Sequence, residues 1–290
     1  MSDSHDKRAI NSAVVFYNES KPEAVRMVKV VRKALKSRGV KVWIGHNGTA
    51  DEKLRLADVA VALGGDGTML RAARTLAPHS IPLLGVNSGG LGFLSSTDAS
   101  EFEQHCDAIL NGEFVLEERW MIEVETRRAG KRIFGPNIAL NDCVIRCGDQ
   151  ARAISLRTRS DDRFMADYFG DGLIVSTPTG STAYNLAAYG PIVDPSLNVL
   201  LISPICPHTL TQRPLIIPAA DPLVITLRTR REHDPAPRVL MSLDGQVGCS
   251  LRVGDEVRVM RYQKPFKLLL NPSRSYYEVL RRKLKWGERG

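Results

Sequence analysis

Residues 1–112 alternate between short apolar runs and amphipathic helical segments, and this alternation constrains the fold more strongly than any other feature of the chain. The apolar runs have the length of buried strands, and the segments between them carry apolar residues at helical spacing. Strands that alternate with helices form a parallel sheet. The sequence therefore predicts a Rossmann-like α/β domain over residues 1–115. Its predicted strands are Ala13–Tyr17, Val40–Ile44, Val59–Leu63 and Ile81–Val86, and its predicted helices are Pro22–Arg38, Met69–Leu76 and Glu101–Asn111, the last with a capping box of Ser100 and Glu103.

The pattern changes after Phe114, where short runs punctuated by Gly, Pro and Asp replace the helices. Such runs are typical of a β-sandwich, which we predict over residues 116–270. Two segments in this part look helical, Thr182–Tyr189 and Tyr276–Trp286, and we expect residues 271–290 to pack back on the N-terminal domain. The predicted strands are Met121–Thr126, Ile154–Thr158, Leu173–Ser176, Leu200–Ser203, Leu223–Leu227, Val239–Leu243, Glu256–Tyr262 and Phe266–Leu270.

The charge of the chain is unevenly distributed. Residues 121–290 carry the whole net charge of +8, whereas basic and acidic side chains balance over residues 1–120. A positive field indicates an anionic partner. Nucleic acid is not favoured, because the arginines are scattered through strands rather than clustered.

Neither the N-terminus nor the cysteines indicate export or membrane insertion. No apolar run approaches the roughly 20 residues that span a bilayer, and the N-terminus lacks the apolar core of a signal peptide. The five cysteines are odd in number and irregularly spaced, which predicts neither disulfides nor a zinc site. We therefore expect a cytoplasmic protein that does not bind membranes.

A glycine-rich loop, Gly64–Thr68, follows the third predicted strand and precedes a helix. Glycines in this position let backbone N–H groups approach an anion at the helix N-terminus. The loop is neither a Walker A motif nor a complete GxGxxG fingerprint. Its central acid, Asp66, would be repelled by phosphates, so a proton taken from an attacking hydroxyl or a bound Mg²⁺ would explain it. The alternative is an ordinary Asp-Gly turn.

Four further segments could bind a ligand. Asn141-Asp142 pairs an amide with an acid, which suits ribose hydroxyls. The segment 170–185 combines an Asp between glycines with a hydroxyl-rich loop before a helix, which suits a nucleotide. The segment Asn87–Leu94 follows the fourth predicted strand, where ligands of α/β sheets bind, and its Phe93 either lines the site or closes the core. Asp244-Gly245 indicates a hairpin turn rather than a site.

Taken together, these motifs resemble the NAD kinase family. The resemblance rests on GGDGT at 64–68, NSGGLGFL at 87–94, the Asn-acid pair at 141–142, and above all GDGLIVSTPTGSTAYN at 170–185. It covers roughly residues 59–286. GGDG alone also occurs in lipid kinases of the diacylglycerol type, whereas the long segment is highly specific.

The resemblance implies an enzyme that transfers the γ-phosphoryl of ATP, with Mg²⁺ or another divalent cation, to the 2′-hydroxyl of the adenosine ribose of NAD. It assigns the proton acceptor to Asp66, with Gly67 beside the phosphates, and a homodimer or homotetramer is typical of the family. The further nucleotide-binding positions that it implies are Phe93, Asn141, Asp142, Arg152, Asp171, Thr182, Ala183, Tyr184, Asn185, Ala187 and Gln246.

Two of these positions depart from the family pattern. The acid after Asn141 is usually Glu, and Asp142 reaches about one methylene less far. Many members have Ser where this chain has Ala187, so one polar contact to the nucleotide is missing.

Two other functions remain as alternatives. A diacylglycerol-type lipid kinase would share GGDG and a two-domain plan, but no membrane-docking segment is apparent apart from the C-terminal helix. A non-catalytic nucleotide sensor on the same fold is disfavoured by the retained Asp66.

Overall fold

The computed structural model describes residues 10–45, 51–87, 92–148, 153–229, 238–285 and 287, and the chain folds into two compact units. The first unit comprises residues 1–118 and 266–290, and the second comprises residues 119–265. Arg152 and residues 88–91, which the sequence analysis singled out, lie outside the described residues.

The first unit is built on a seven-stranded sheet with strand order β2-β1-β3-β4-β19-β6, and β5 pairs with β4. Strands β1 to β4 pair in parallel, as the alternation of strands and helices predicts. Every residue of β3 is buried, which is typical of a central strand covered on both faces. The strands are β1 (Ser12–Tyr17), β2 (Lys41–Gly45), β3 (Val59–Leu63), β4 (Leu83–Asn87), β5 (Thr97–Asp98), β6 (Val115–Arg119) and β19 (Phe266–Leu270).

Helices cover this sheet through apolar faces. The longest of them, α1, buries a row of side chains at helical spacing that includes Val28, Val31 and Leu35. The predicted capping box before α4 is wrong, because Glu101 is the N-cap residue and no side chain caps that helix. The helices are α1 (Pro22–Lys36), α2 (Asp51–Leu54), α3 (Asp66–Leu76), α4 (Phe102–Leu110) and α6 (Tyr276–Leu284).

The C-terminal segment returns to the first unit, as expected. Arg274 donates to Glu101 at 2.6 Å, and Leu280 of α6 is buried. The strand Phe266–Leu270, which we predicted as part of the β-sandwich, instead pairs in parallel with β4. The prediction failed because the apolar pattern of a strand does not say which sheet it joins.

The second unit is a sandwich of two antiparallel six-stranded sheets, with orders β11-β10-β15-β18-β7-β8 and β14-β13-β12-β9-β16-β17. Apolar side chains from both sheets form one core. The strands are β7 (Ile122–Arg128), β8 (Lys131–Ala139), β9 (Asp142–Cys147), β10 (Ile154–Ser160), β11 (Arg163–Gly170), β12 (Gly172–Ser176), β13 (Val199–Ile205), β14 (Leu215–Pro218), β15 (Leu223–Arg228), β16 (Val239–Leu243), β17 (Val247–Leu251) and β18 (Glu256–Arg261).

The segment after β12 departs from the prediction. In place of one helix over Thr182–Tyr189, it forms a 3₁₀ turn, Thr179–Thr182, and a single helical turn, α5 (Tyr184–Ala187). Ala183 separates the two because its backbone is not helical, with ψ at −131°. In the described part of the chain, none of the helices has the length and apolarity needed to cross a membrane.

Candidate functional site

The glycine-rich loop of the first unit connects β3 to α3. Gly64 has φ +141°, a conformation that other residues rarely adopt, and its N–H donates to Val86 O at 2.9 Å. Gly65 is the N-cap residue, so Asp66 is the first residue of an 11-residue helix. The structure therefore presents Asp66 and the exposed Gly67 at a helix N-terminus, although the helix begins at Asp66 rather than at Met69 as predicted.

The carboxylate of Asp66 lies against the segment that contains Phe93. Leu94 N–H donates to Asp66 Oδ1 at 3.4 Å, and Gly92 N–H donates to Ser95 Oγ at 2.7 Å. A Cβ added to Gly92 would lie 2.4 Å from Asp66 Oδ1, so any larger residue at this position would displace the carboxylate. Phe93 is half-buried and lies in the chain between Gly92 and Leu94, the two residues beside the Asp66 carboxylate. Two of the predicted segments, 64–68 and 87–94, thus meet at Asp66.

The second unit contains a cavity of about 690 Å³. Four of the predicted binding residues, Asn141, Asp142, Ala183 and Tyr184, line it together with Asp244. The other lining residues come from strands β9, β16 and β17 and from the β16–β17 turn: Val144, Arg146, Leu240, Met241, Ser242, Gly245, Gly248, Cys249 and Ser250.

Asp142 is a buried acid on the lining of this cavity. It is only 4% exposed, and its carboxyl makes no hydrogen bond to the residues that the structure describes. Burial, and secondly the negative charge of Asp244, raise the pKa of Asp142 from 3.8 to about 7. Near neutral pH this carboxyl group is therefore able to donate as well as accept a hydrogen bond.

The backbone of residues 140–142 is fixed on both sides. The Asp244 carboxylate accepts from the N–H groups of Leu140 at 3.1 Å, Asn141 at 2.8 Å and Asp142 at 3.2 Å. On the carbonyl side, Thr177 Oγ1 donates to Leu140 O at 2.5 Å and Thr177 N–H donates to Asn141 O at 2.8 Å.

Asp244 and Gly245 form the turn of the β16–β17 hairpin, as the sequence predicts. Their φ angles of +50° and +64° are those of a type I′ turn. The sequence pattern at Asp244 indicates only this turn and does not reveal the contacts of Asp244 with residues 140–142, about a hundred positions away. An Asp-Gly pair signals the turn, but nothing in the sequence signals the distant partner. Gln246, the next residue of the turn, does not line the cavity.

Asn185 lies inside the protein rather than in the cavity. It is 0% exposed, its Nδ2 donates to Ser181 O at 3.2 Å and Pro191 O at 3.1 Å, and its Oδ1 accepts from Ser203 Oγ at 2.7 Å. This side chain therefore holds the 180–191 segment on the sheet, and the expected contact of Asn185 with a nucleotide stays a prediction.

Three other expected residues do not line the cavity. Thr182 is half-buried and Ala187 is exposed, on either side of Tyr184. Asp171 is exposed, with its Oδ1 4.0 Å from His208 Nε2.

A glycine-rich loop at a helix N-terminus in an α/β unit, and a cavity lined by both polar and apolar side chains in a β-sandwich unit, are together the features of a two-unit nucleotide-binding protein. Family models match both parts of the chain: the ATP-NAD kinase N-terminal domain over residues 18–114 and the ATP-NAD kinase C-terminal domain over residues 140–270. The chain belongs to the NAD kinase family.

Individual relatives agree with this assignment. The chain is 46% identical to the NAD kinase of Geobacter sulfurreducens over 84% of both chains, and 41% identical to that of Syntrophobacter fumaroxidans over 94% of this chain and 98% of the relative. The fold matches a yeast NADH kinase complexed with NADH, with TM-score 0.89 and 23% identity over 98% of this chain and 90% of that one. It also matches an NAD kinase from Archaeoglobus fulgidus in complex with ATP, with TM-score 0.77 and 24% identity over 94% and 98% of the two chains. The lipid kinase alternative is not favoured.

Proposed function

We propose that this protein transfers the γ-phosphoryl of ATP to the 2′-hydroxyl of the adenosine ribose of NAD, which produces NADP. The observation that carries the proposal is the placement of Asp66 at the N-terminus of α3, directly behind Gly64 and Gly65. Backbone N–H groups at a helix N-terminus bind phosphate. The carboxylate accepts the proton of the hydroxyl that attacks the γ-phosphorus.

Asp66 acts as the proton acceptor in this proposal. Phosphoryl transfer needs little covalent chemistry from the protein, so positioning and charge stabilisation dominate. The hydrogen bond from Leu94 N–H to Oδ1 holds the Asp66 carboxylate in one orientation. The 2′-hydroxyl loses its proton to this carboxylate as its oxygen bonds to the γ-phosphorus and the bond to ADP breaks.

The cavity of the second unit binds NAD in this proposal. Asn141 offers both a donor and an acceptor to ribose hydroxyls. Asp142, with its raised pKa, is partly neutral near pH 7 and is therefore less repelled by the phosphates of NAD than an ordinary carboxylate. Ala183 and Tyr184 line the same cavity and contribute apolar and aromatic surface for the bases. Arg146 is the cationic member of the lining and favours the pyrophosphate.

A divalent cation fits this site as a partner of ATP. Among the described residues no group of three or more His, Cys, Asp and Glu side chains is placed to hold a metal. Mg²⁺ in nucleotide sites commonly takes only one or two carboxylates, together with phosphates and water. The partly exposed Asp66 carboxylate meets that requirement. When bound, Mg²⁺ would neutralise charge that develops on the phosphates.

The proposal is tested by a coupled assay in which purified protein, ATP, Mg²⁺ and NAD supply NADP to an NADP-specific dehydrogenase. Parallel reactions replace NAD with NADH or ATP with inorganic polyphosphate, which defines the acceptor and the donor. A further reaction offers diacylglycerol in vesicles in place of NAD. Turnover of diacylglycerol without formation of NADP would refute the proposal.

We expect the protein to act in the cytoplasm as a homodimer or homotetramer. Five unpaired cysteines support a reducing compartment. The exposed apolar side chains of Tyr189 and Leu210 in the second unit support self-association. Light scattering coupled to size-exclusion chromatography measures the oligomeric state directly, and a monomeric mass would contradict it.

A further inference from the structure

We propose that Asp244 is a positioning residue of the dinucleotide cavity, whose carboxylate fixes the backbone of residues 140–142 and so aims the side chains of Asn141 and Asp142. The inference rests on the proposed role of this cavity in binding NAD. It assigns Asp244 a role in affinity for NAD, beyond the hairpin turn that it forms.

The hydrogen bonds of the carboxylate are divided between its two oxygens. Oδ1 accepts from the N–H groups of Asn141 and Asp142, and Oδ2 accepts from the N–H of Leu140. The Asp244 N–H also donates to Asp142 O at 3.0 Å. Three consecutive backbone donors are thus held by one side chain, and charge-assisted bonds of this kind are stronger than neutral ones.

The opposite side of the same backbone is closely packed. Gly180 lies so close that an added Cβ would meet Asn141 O at 2.2 Å. Ser176 Oγ also donates to Asn141 O at 3.1 Å. Residues 140–142 are therefore held between the 176–180 segment and Asp244, and loss of either side would free the side chains at 141 and 142 to reorient.

The chemistry of the contact requires an acid. Both oxygens of Asp244 face N–H donors, so the amide nitrogen of an Asn at this position would face a donor whichever way it turned. The backbone of Asp244, at φ +50°, is well tolerated by Asn and by Gly. Asp244→Asn and Asp244→Gly therefore preserve the turn and remove the acceptor.

Asp161 provides a matched control in the same unit. It lies in the turn that connects β10 and β11, and its φ of +53° is nearly the same as that of Asp244. The side chain of Asp161 is exposed and lies away from the cavity lining. Asp161→Asn repeats the chemical change in the same backbone conformation without touching residues 140–142.

Asp244 also acts on Asp142 through its charge. The pKa of Asp142 is therefore a measurement that a change in the stability of the turn alone would not alter. The other titratable or charged groups that line the cavity are Arg146, Tyr184 and Cys249. Removal of the charge of Asp244 lowers the pKa of Asp142, because Asp244 is the second cause of its elevation after burial. The titration of Asp142 that modulates NAD affinity should therefore shift to lower pH in Asp244→Asn.

The experiment compares wild type, Asp244→Asn, Asp244→Gly and Asp161→Asn by calorimetric titration with NAD and with ATP between pH 5 and 9. We expect both Asp244 variants to bind NAD at least about tenfold more weakly, with ATP affinity within about twofold of wild type. Asp161→Asn should match wild type for both ligands. NAD affinity within twofold of wild type in the folded Asp244 variants, or equal weakening of NAD and ATP, would overturn the proposal.

Hydrogen exchange of the ligand-free proteins completes the test. Amides of residues 140–142 should exchange faster in both Asp244 variants than in wild type, with the core strands of the second unit unchanged. This measurement separates the inference from the proposed function, because it needs no ligand, whereas absence of NADP formation by wild type would count only against the function. Unfolding of both Asp244 variants beside a folded Asp161→Asn would assign Asp244 to hairpin stability and overturn its role as a positioning residue.

Discussion

Asp142 and Asp244 both line the cavity, and the backbone N–H of Asp142 donates to Asp244 Oδ1 at 3.2 Å. Burial, and then the charge of Asp244, raise the pKa of Asp142 to about 7. Because this pKa is higher in the folded protein than in the unfolded chain, the folded state binds the proton more tightly. The contribution of Asp142 to stability is therefore fully present below pH 4 and is lost as pH rises through about 7.

The first prediction concerns Asp142→Asn, which replaces the titrating group with a neutral one of similar size. In the ligand-free protein, the free energy of unfolding of wild type should fall as pH rises from 4 to 8, compared with that of this variant. The raised pKa of Asp142 corresponds to a decrease of about 4 kcal/mol over this range. Urea denaturation at several pH values measures the difference. Asp162→Asn is the control because its side chain is 96% exposed, and parallel curves for wild type and Asp142→Asn would contradict the prediction.

Local chemistry was predictable from sequence, whereas long-range placement was not. The strand, the glycines and the helix that carry Asp66 follow from adjacent residues, and the Asp-Gly turn at 244–245 follows from its dipeptide. The contact of Asp244 with residues 140–142 depends on the pairing of β9 with β16, which no local pattern encodes. The placement of Phe266–Leu270 in the first sheet and the burial of Asn185 depend on tertiary packing in the same way.

The second prediction concerns the proposed base. Asp66→Asn keeps an oxygen that can accept from Leu94 N–H, so the loop should retain its conformation. Loss of the carboxylate should lower turnover by about 10²-fold or more, with NAD still bound. Steady-state kinetics and calorimetry measure the two effects separately. Near-normal turnover in a folded Asp66→Asn protein would exclude Asp66 as the base.

The third prediction tests the contact between Gly92 and Asp66. Gly92→Ala would place a Cβ 2.4 Å from Asp66 Oδ1 and 3.0 Å from Ser95 Oγ, which displaces the carboxylate. A displacement of this kind should lower turnover by at least about tenfold. Because both changes act through one carboxylate, the double variant with Asp66→Asn should be no slower than Asp66→Asn alone. Additive losses in this double-mutant cycle would show that Gly92 acts independently of Asp66.

The fourth prediction concerns Asn185, whose side chain is enclosed by protein. Asn185→Ala leaves Ser181 O, Pro191 O and Ser203 Oγ without this partner, so the free energy of unfolding should fall by about 3 kcal/mol or more. Asn198→Ala, at an exposed position in the same unit, serves as the control. Unchanged stability of Asn185→Ala combined with weaker NAD binding would contradict this structural role and assign Asn185 to ligand contact instead.

The fifth prediction concerns the departure from the family pattern at Asp142. The cavity lies directly beyond this carboxyl, so Asp142→Glu extends the acid by one methylene into space that the ligand would share. We expect KM for NAD to be unchanged or lower, with KM for ATP unchanged, because the longer acid restores the reach that is usual in the family. The hydrogen bond from the backbone N–H of residue 142 to Asp244 is independent of the side chain and should persist. A severe rise in KM for NAD, with stability equal to wild type, would show instead that the geometry of the cavity has adapted to Asp.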